Sequence, residues 1–393
     1  MTRAVALIDG EHHAPVVRDA LAGLPYEIVA AVLVGGSEKL RGGEDYGVRL
    51  VGDLADVDAD VVVDLSDEPV LDPPSRFRLI SRALALGRSY VGGDFRFDPP
   101  RYAPFELPSL AVIGTGKRVG KTAVTAHVIR LLSRDRNVVA VAMGRGGPPE
   151  PELVDVAPSL ADLLDRSRAG GHAASDYLEL AALTGVRTVG CRRAGGGLAG
   201  AVVDSNVLAG ARLARTLEPD LVVFDGSGAS IPPIATDARI LVVPAAHDLG
   251  QFLNPYRVLV SNLVVIVGRP AADAPSGVGD VPSVRVDLRL RPTAALEGRV
   301  AVFTTGLAPT EHLEADVVHV SRNLADRRTL RGELEDVHAD TFLVELKAAA
   351  IDVVAEVAAD RDVRVVLAEN EVVPLAGDLD AEVLALVPEA VAA

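Results

Sequence analysis

The sequence predicts an α/β protein with a large, mostly parallel sheet and a smaller N-terminal α/β domain ahead of it. Three observations carry this. Short Val/Ile/Leu/Ala runs alternate with amphipathic stretches from end to end, the pattern of strands buried on both faces and joined by helices. A segment rich in proline and aromatic residues, Phe95 to Pro108, interrupts the alternation; its prolines can neither donate to a ladder nor continue a helix, so it reads as a linker. Directly after it, an apolar run enters a glycine-rich turn and then a helical pattern, and a chain of 393 residues is long enough for two domains.

In chain order, the predicted N-terminal strands are 4–8, 28–34, 61–65 and 90–91, with helices at 15–22 and 76–86. Beyond the linker, runs at 110–113, 138–142, 221–224, 240–243, 264–267, 300–303, 317–320, 342–345 and 363–367 are expected to join one sheet. Residues 1–106 thus form a small α/β domain and 107–393 the larger catalytic domain. There is no repeat of fixed period.

Composition narrows the function. With 49% hydrophobic and 24% charged residues the chain fits neither disorder nor a fibrous repeat. Its single cysteine, Cys191, cannot close an internal disulfide, and Asp9 interrupts the N-terminus before a signal-peptide apolar region could form. No apolar run approaches the roughly 20 residues that span a bilayer. A cytoplasmic protein without a membrane partner is expected. The net charge of −16 argues against a nucleic-acid partner, which needs a basic footprint, so any polyanionic ligand must meet a local cluster. Lysine occurs four times, at Lys39, Lys117, Lys121 and Lys347, while arginine supplies the remaining 35 of the 39 positive charges.

The most specific signal is Gly114-Thr115-Gly116-Lys117-Arg118-Val119-Gly120-Lys121-Thr122 between the predicted strand and helix. Its glycines let backbone N–H groups curl around phosphate oxygens, the helix N-terminus adds partial positive charge, Lys121 reaches the β- and γ-phosphates, and Thr122 offers a hydroxyl to Mg²⁺. The loop is one residue longer than the common spacing. It resembles that of dethiobiotin synthetase and its relatives among P-loop NTPases, which include MinD-like ATPases and metallochaperone GTPases. Lys117, Arg118 and Lys121 give nine residues a charge of +3. No Asn-Lys-x-Asp run is present to read guanine, which tilts the nucleotide toward ATP.

A second element is the run Leu221 to Asp225, whose acid at the strand's C-terminal end is followed by a Gly-Ser-Gly turn. Ligands bind at that edge of open α/β sheets, so Asp225 is placed to hold Mg²⁺, directly or through water, opposite Thr122; an acid capping the turn is the plainer alternative. Three Gly- and Arg-rich stretches follow strands or precede helices: 143–152 with Arg145, 169–179 with His172 and Asp176, and 188–200 with Arg192 and Arg193 ahead of three glycines. Two guanidinium forks beside glycines suit a phosphate clamp, and a solvated turn is the alternative.

Taken together, Leu7-Ile-Asp-Gly-Glu-His-His-Ala-Pro-Val-Val17, the loop 114–122, His172-Ala-Ala-Ser-Asp-Tyr-Leu-Glu179, Val189-Gly-Cys-Arg-Arg193 and Glu345-Leu-Lys-Ala-Ala-Ala-Ile-Asp352 resemble one family over essentially the whole length, the cyclic 2,3-diphosphoglycerate synthetases. The resemblance implies an ATP-dependent ligase closing a phosphoanhydride between the two phosphates of 2,3-bisphosphoglycerate, with release of ADP and phosphate. Lys117, Arg118, Lys121, Arg145, Arg192 and Arg193, with Mg²⁺ on Thr122 and Asp225, are the expected charges against the two polyanions. Lys121, Lys117, Asp225, Arg192 and Arg193 are the expected catalytic residues. Expected substrate contacts are Asp9, Glu11, His12, Arg145, His172, Asp176, Arg192 and Arg193.

The remaining residues are less specific. Asp9, Glu11 and His12 follow the first strand, where substrate contact or domain packing fits better than a metal site. His172 and Asp176 share a helical face if the helix begins early enough; otherwise Ser175 or Asp176 is its N-cap. Lys347 has equal claims to a functional contact and a structural one, and Cys191 reads as a buried small hydrophobe. A dethiobiotin-synthetase-like ligase and a MinD- or metallochaperone-like nucleotide switch are the alternatives. A homodimer is suggested only by analogy with the wider superfamily.

Overall fold

A computed structural model describes residues 1–269, 277–306 and 309–387. Among these the strands form two sheets. The first contains β1 (Arg3–Ile8), β2 (Glu27–Leu33), β3 (Leu50–Val51), β4 (Val61–Asp64), β5 (Ser89–Val91) and β6 (Arg96–Phe97) in the order β3-β2-β1-β4-β5-β6, parallel except for β6. Helices α1 (Ala14–Gly23) and α2 (Pro73–Ala85) belong to this unit. Helix α2 begins three residues before the expected 76. Pro73 and Pro74 are tolerated in a first turn, whose N–H groups have no intrahelical acceptor, and Asp72 caps it through the Ser75 N–H at 2.8 Å.

The second sheet has thirteen strands and holds every strand expected beyond the linker. Its P-loop half comprises β7 (Ser109–Gly114), β8 (Val138–Gly144), β9 (Glu152–Val154), β10 (Thr188–Ala194), β11 (Asp204–Ser205), β12 (Leu221–Asp225), β13 (Ala238–Pro244) and β14 (Leu263–Val267). The rest is β15 (Ser283–Pro292), β16 (Arg299–Phe303), β17 (Asp316–Ser321), β18 (Thr341–Glu345) and β19 (Arg364–Ala376). The order runs β11-β10-β8-β12-β7-β13-β14-β15-β19-β18-β16-β17, with β9 paired to β10. Strand β7 lies between β12 and β13, parallel to both, and is buried at every residue. Both faces carry core: α3 (Lys121–Leu132), α4 (Leu160–Arg168) and α5 (Asp176–Thr184) contribute to one, and α6 (Val207–Arg215) and α7 (Asn254–Leu259) to the other.

Strand β15 was not among the expected runs. It pairs antiparallel with β19, which extends nine residues past the expected end at 367 and joins the P-loop half to the C-terminal strands. The segment 95–108 is more than a linker. It contributes β6, its Phe105 ring packs edge-on against Phe224 at 5.2 Å, and the hydroxyls of Tyr102 and Tyr256 are 2.8 Å apart. With α2 packed on α7, and Phe77 against Phe252 at 5.9 Å, it fixes the smaller sheet to the larger one.

Candidate active site

The turn after β7 carries the marks of a loop built around an anion. Gly120 (φ +85°) is the N-cap of α3, and Arg118 (φ +59°) holds a left-handed conformation that costs a non-glycine residue about 1–2 kcal/mol. Gly114 is confined as well, since a Cβ there would lie 3.0 Å from Val119 and 3.2 Å from the Gly228 carbonyl. Residues 116–123 line a cleft of about 670 Å³. The exposed side chains of Lys117 and Arg118 have no acidic partner among the described residues, and the buried Thr115 hydroxyl has no hydrogen-bond partner.

Asp225 stands at the C-terminal end of β12, beside β7 and in register with Val112. Both of its oxygens accept from the Lys121 ammonium at 2.6 Å, and the Thr125 hydroxyl donates to one of them at 2.6 Å. Burial raises its pKa, a push that Lys121 and Thr125 only partly offset. The expected opposition of Asp225 to Thr122 is therefore a pairing with Lys121 in this structure: the nearest cation to a buried carboxylate is the loop lysine itself.

A second ion pair with a buried carboxylate lies alongside. Glu179 on α5 binds the ammonium of Lys347, which follows β18 and also lies 3.3 Å from the Thr122 hydroxyl. Burial pushes the Glu179 carboxyl up to about 7 despite Lys347. For Lys347, burial pulls downward but the charges of Glu179, Glu345 and Asp176 win, so its pKa lies above the ordinary lysine value.

Arg145 follows β8 and lines the same cleft. Together with Arg193 on β10 and the glycines 195–197 it also lines an adjoining hollow of about 510 Å³. The two guanidiniums converge on Gly228: a Cβ there would sit 2.8 Å from Arg145 and 3.7 Å from Arg193. Arg193 donates to the carbonyls of Gly195 (2.7 Å) and Ser227 (3.0 Å), and burial together with the Arg145 charge holds its pKa below the usual arginine value. Among the described residues neither arginine forms an ion pair with a carboxylate, although the Asp176 charge acts on Arg193. A buried arginine on α7, Arg257, donates to the Leu198 and Ala229 carbonyls and so holds the two loops flanking this hollow; burial draws its pKa down to about 10.

Not every expected site residue joins this cleft. Arg192 and Arg193 cannot form one clamp, because successive strand residues point to opposite faces; Arg193 is buried and Arg192 is exposed, outside both hollows. His172 and Asp176 both line the cleft, yet they do not share a helical face, since α5 begins at Asp176. Ser175 holds the N-cap position without a side-chain cap bond. Asp9, Glu11 and His12 lie at the end of β1 and line neither hollow. Asp9 is fully buried and accepts from the N–H groups of Glu11 (2.9 Å), His12 (3.2 Å) and Asp67 (2.8 Å), with the His12 Nδ1 at 2.8 Å. Burial acts to raise its pKa, but these partners outweigh it and hold the carboxyl below the ordinary value. Glu11 pairs with Lys39. This cluster ties down the turn into α1. Cys191 is buried, as expected, with its thiol pushed up to about 12 by burial.

The loop fits a nucleoside triphosphate: an αL backbone at two positions, an orphaned hydroxyl at Thr115 and unneutralised cations at Lys117 and Arg118 all suit phosphate oxygens. A divalent cation would use the Thr122 hydroxyl. Among the described residues no three His, Cys, Asp or Glu side chains come together to hold a metal. Sequence reasoning missed the cleft's C-terminal wall. Thr304–Gly306, Glu345 and Asn370 line it, and Glu345 accepts from Thr304 (3.0 Å), from the Thr305 N–H (3.0 Å) and from Asn370 (2.7 Å). Glu179 and Lys347 lay within quoted motifs, but nothing in their spacing couples them.

Comparison with known proteins follows the same three parts of the chain. Residues 3–98, 109–275 and 296–371 match the N-terminal, P-loop and C-terminal domains of cyclic 2,3-diphosphoglycerate synthetase. The cyclic 2,3-diphosphoglycerate synthetase of Rubrobacter xylanophilus is 44% identical, over 98% of this chain and 97% of its own. Those of Methanothermus fervidus and Pyrococcus horikoshii are 37% and 39% identical, over 94% and 93% of this chain and 92% of each of theirs. Among solved structures, LpxK from Aquifex aeolicus in complex with ATP aligns over 73% of this chain and 90% of its own with a TM-score of 0.46 at 13% identity. No described helix is long and apolar enough to cross a membrane.

Proposed function

The chain belongs to the cyclic 2,3-diphosphoglycerate synthetase family, and from that premise we propose that it closes the phosphoanhydride ring of cyclic 2,3-diphosphoglycerate from 2,3-bisphosphoglycerate, with ATP converted to ADP and phosphate. The observation that carries the reading is the meeting of two anion-binding walls: the loop 114–122 in the cleft, and Arg145 with Arg193 around Gly228 in the adjoining hollow, with Arg145 lining both and Gly114 close to the Gly228 carbonyl. A site for a neutral acid, as in a dethiobiotin-synthetase-like ligase, has no use for the second wall.

The chemistry follows from charge. Nucleotide and substrate together bring roughly eight negative charges, and two like charges about 4 Å apart cost about 4 kcal/mol at an effective dielectric of 20, so fixed cations must offset the repulsion. In the proposed reaction an oxygen of one substrate phosphate attacks the γ-phosphorus and the bond to ADP breaks. An oxygen of the other substrate phosphate then attacks the phosphorus of the first, closing the ring and expelling inorganic phosphate. Lys121 leaves Asp225 for the β- and γ-phosphates. Thr122, and Asp225 once released from Lys121, would hold Mg²⁺, which would supply charge neutralisation to the phosphates. Lys117 and Arg118 cover the transferring group, while Arg145 and Arg193 hold the substrate.

The test is a phosphorus NMR spectrum of the full-length protein with ATP, Mg²⁺ and 2,3-bisphosphoglycerate. A new anhydride resonance growing in step with ADP supports ring closure. ADP and phosphate alone mean hydrolysis, and the assignment fails.

A further inference from the structure

The mechanism above leaves Lys347 unused. We propose that Lys347 is a further catalytic residue: its ammonium exchanges Glu179 for the terminal phosphate of the nucleotide seated on the P-loop. The proposal rests on the nucleotide-binding reading of the loop. Its own support is geometric.

The ammonium of Lys347 lies 3.3 Å from the Thr122 hydroxyl, in the first turn of α3, where the β- and γ-phosphates of a P-loop ligand come to rest. A lysine that served only to neutralise Glu179 would have no reason to reach that hydroxyl as well. The chain works to hold it there. Ala348, the next residue, has φ +37°, a conformation unfavourable for a residue with a Cβ, and a π-helical turn, Ala350–Ala355, follows at once. Both are local distortions of the kind that gather at functional sites. Glu345, two residues before, is locked by Thr304, Thr305 and Asn370, which fixes the strand end from which Lys347 projects.

Residue choice points the same way. Three of the four lysines in the chain, Lys117, Lys121 and Lys347, line this one cleft, although arginine carries positive charge almost everywhere else. An ammonium is a compact charge on a rotatable stem that can change partners, whereas a guanidinium fork locks onto one carboxylate. Lys347 also repeats the arrangement of Lys121, a loop-facing ammonium resting on a buried acid.

The experiment compares binding of Mg²⁺-ATP and Mg²⁺-ADP by calorimetry in the full chain, in Lys347→Met, and in Lys347→Met with Glu179→Gln, which removes the charge that the first change strands. A contact to the terminal phosphate predicts that Lys347→Met weakens Mg²⁺-ATP by about tenfold or more while Mg²⁺-ADP stays within about twofold, as for loss of one charge-assisted hydrogen bond. Turnover falls at least about a hundredfold in both variants, since the contact strengthens as charge moves in the transition state. If ATP and ADP affinities fall together, or if adding Glu179→Gln restores turnover to near wild type, Lys347 merely neutralises Glu179 and the proposal is wrong. Should the wild-type chain bind neither nucleotide, the reading of the loop fails first and takes this inference with it.

Discussion

Glu179 should make the protein less stable as pH rises toward neutrality, and Glu179→Gln should remove that dependence. The carboxyl is buried and its pKa rises from 4.5 to about 7. The folded state therefore binds this proton more tightly than the unfolded state does, and the resulting stabilisation is complete below the unfolded value and lost as pH climbs through the folded one. At about 1.4 kcal/mol per tenfold change in proton affinity, the difference amounts to about 3 kcal/mol between pH 4 and pH 8. Thermal melts of wild type and variant across that range supply the test. Because Lys347 loses the carboxylate that raises its pKa, the same pair of melts is also run with Lys347→Met in both backgrounds, which separates Glu179 from its partner. Removing the partner of Lys347 shifts the variant's curve by an offset, but the slope is what matters. Relative to the variant, the wild type should lose up to several degrees as pH rises, at about 2 °C per kcal/mol for a chain of this size. Parallel curves would refute the reasoning, because the carboxyl would then be ionised at the same pH folded and unfolded.

Three other substitutions probe separate parts of the argument. Lys121→Ala should abolish ring closure while the chain still folds; near-normal turnover in the anhydride assay would remove the loop from the mechanism. Arg193→Met removes a charge-assisted contact expected to be worth about 1.5–3 kcal/mol, so KM for 2,3-bisphosphoglycerate should rise by about one to two orders of magnitude with ATP affinity unchanged, and an unchanged KM would dissociate the second wall from the substrate. Gly210→Ala places a Cβ 2.2 Å from the Cys191 sulfur, an overpacking expected to cost about 1–3 kcal/mol, yet in a Cys191→Ala background the same change should stabilise, because the added methyl fills the vacated space. A melting temperature that drops equally in both backgrounds would contradict the packing.

What the sequence made legible was local. The strands of the two sheets are short apolar runs between turn residues, and β7, loop and α3 are contiguous, so their order alone points to a P-loop. Strand β15 escaped because Arg285, Asp287, Arg289 and Arg291 alternate with Val284, Val286, Leu288 and Leu290, the signature of a strand with a wetted face rather than of the buried parallel runs sought. The tail of β19 was hidden likewise by Glu369, Asn370 and Glu371. The clamp of Arg192 with Arg193 failed on a rule available beforehand, the two-residue period of a strand; which of the two faces the site depends on sheet register, which the sequence does not reveal. Asp9, Glu11 and His12 sit at a sheet edge, as ligand-binding residues often do, but the buried N–H groups of the turn claim the Asp9 carboxylate first. The pair of Glu179 and Lys347 joins residues 168 positions apart, and no spacing argument reaches that far.

The cations of the cleft divide by whether they are compensated at rest, and the division bears on how such a site can exist without its ligands. A pocket charged to receive two polyanions would repel itself when empty, with each close pair of like charges costing on the order of the 4 kcal/mol that the ligands would otherwise face. Lys117 and Arg118 avoid this by exposure, where water screens them. Arg145 and Arg193 stand close together; Arg193 leans on the Ser227 and Gly195 carbonyls, and its pKa is lowered first by burial and then by the Arg145 charge. Lys121, which is buried, and Lys347, which is half-buried, are cancelled by Asp225 and Glu179. In the proposed reaction, incoming phosphates replace those carboxylates, so the positive charge available to the ligands grows as they bind. The carboxylates left behind are the two whose pKa burial has already raised, which favours a proton taking the place of the departing ammonium. Lysine suits both positions for the reason that arginine would not: the exchange requires a cation that lets go.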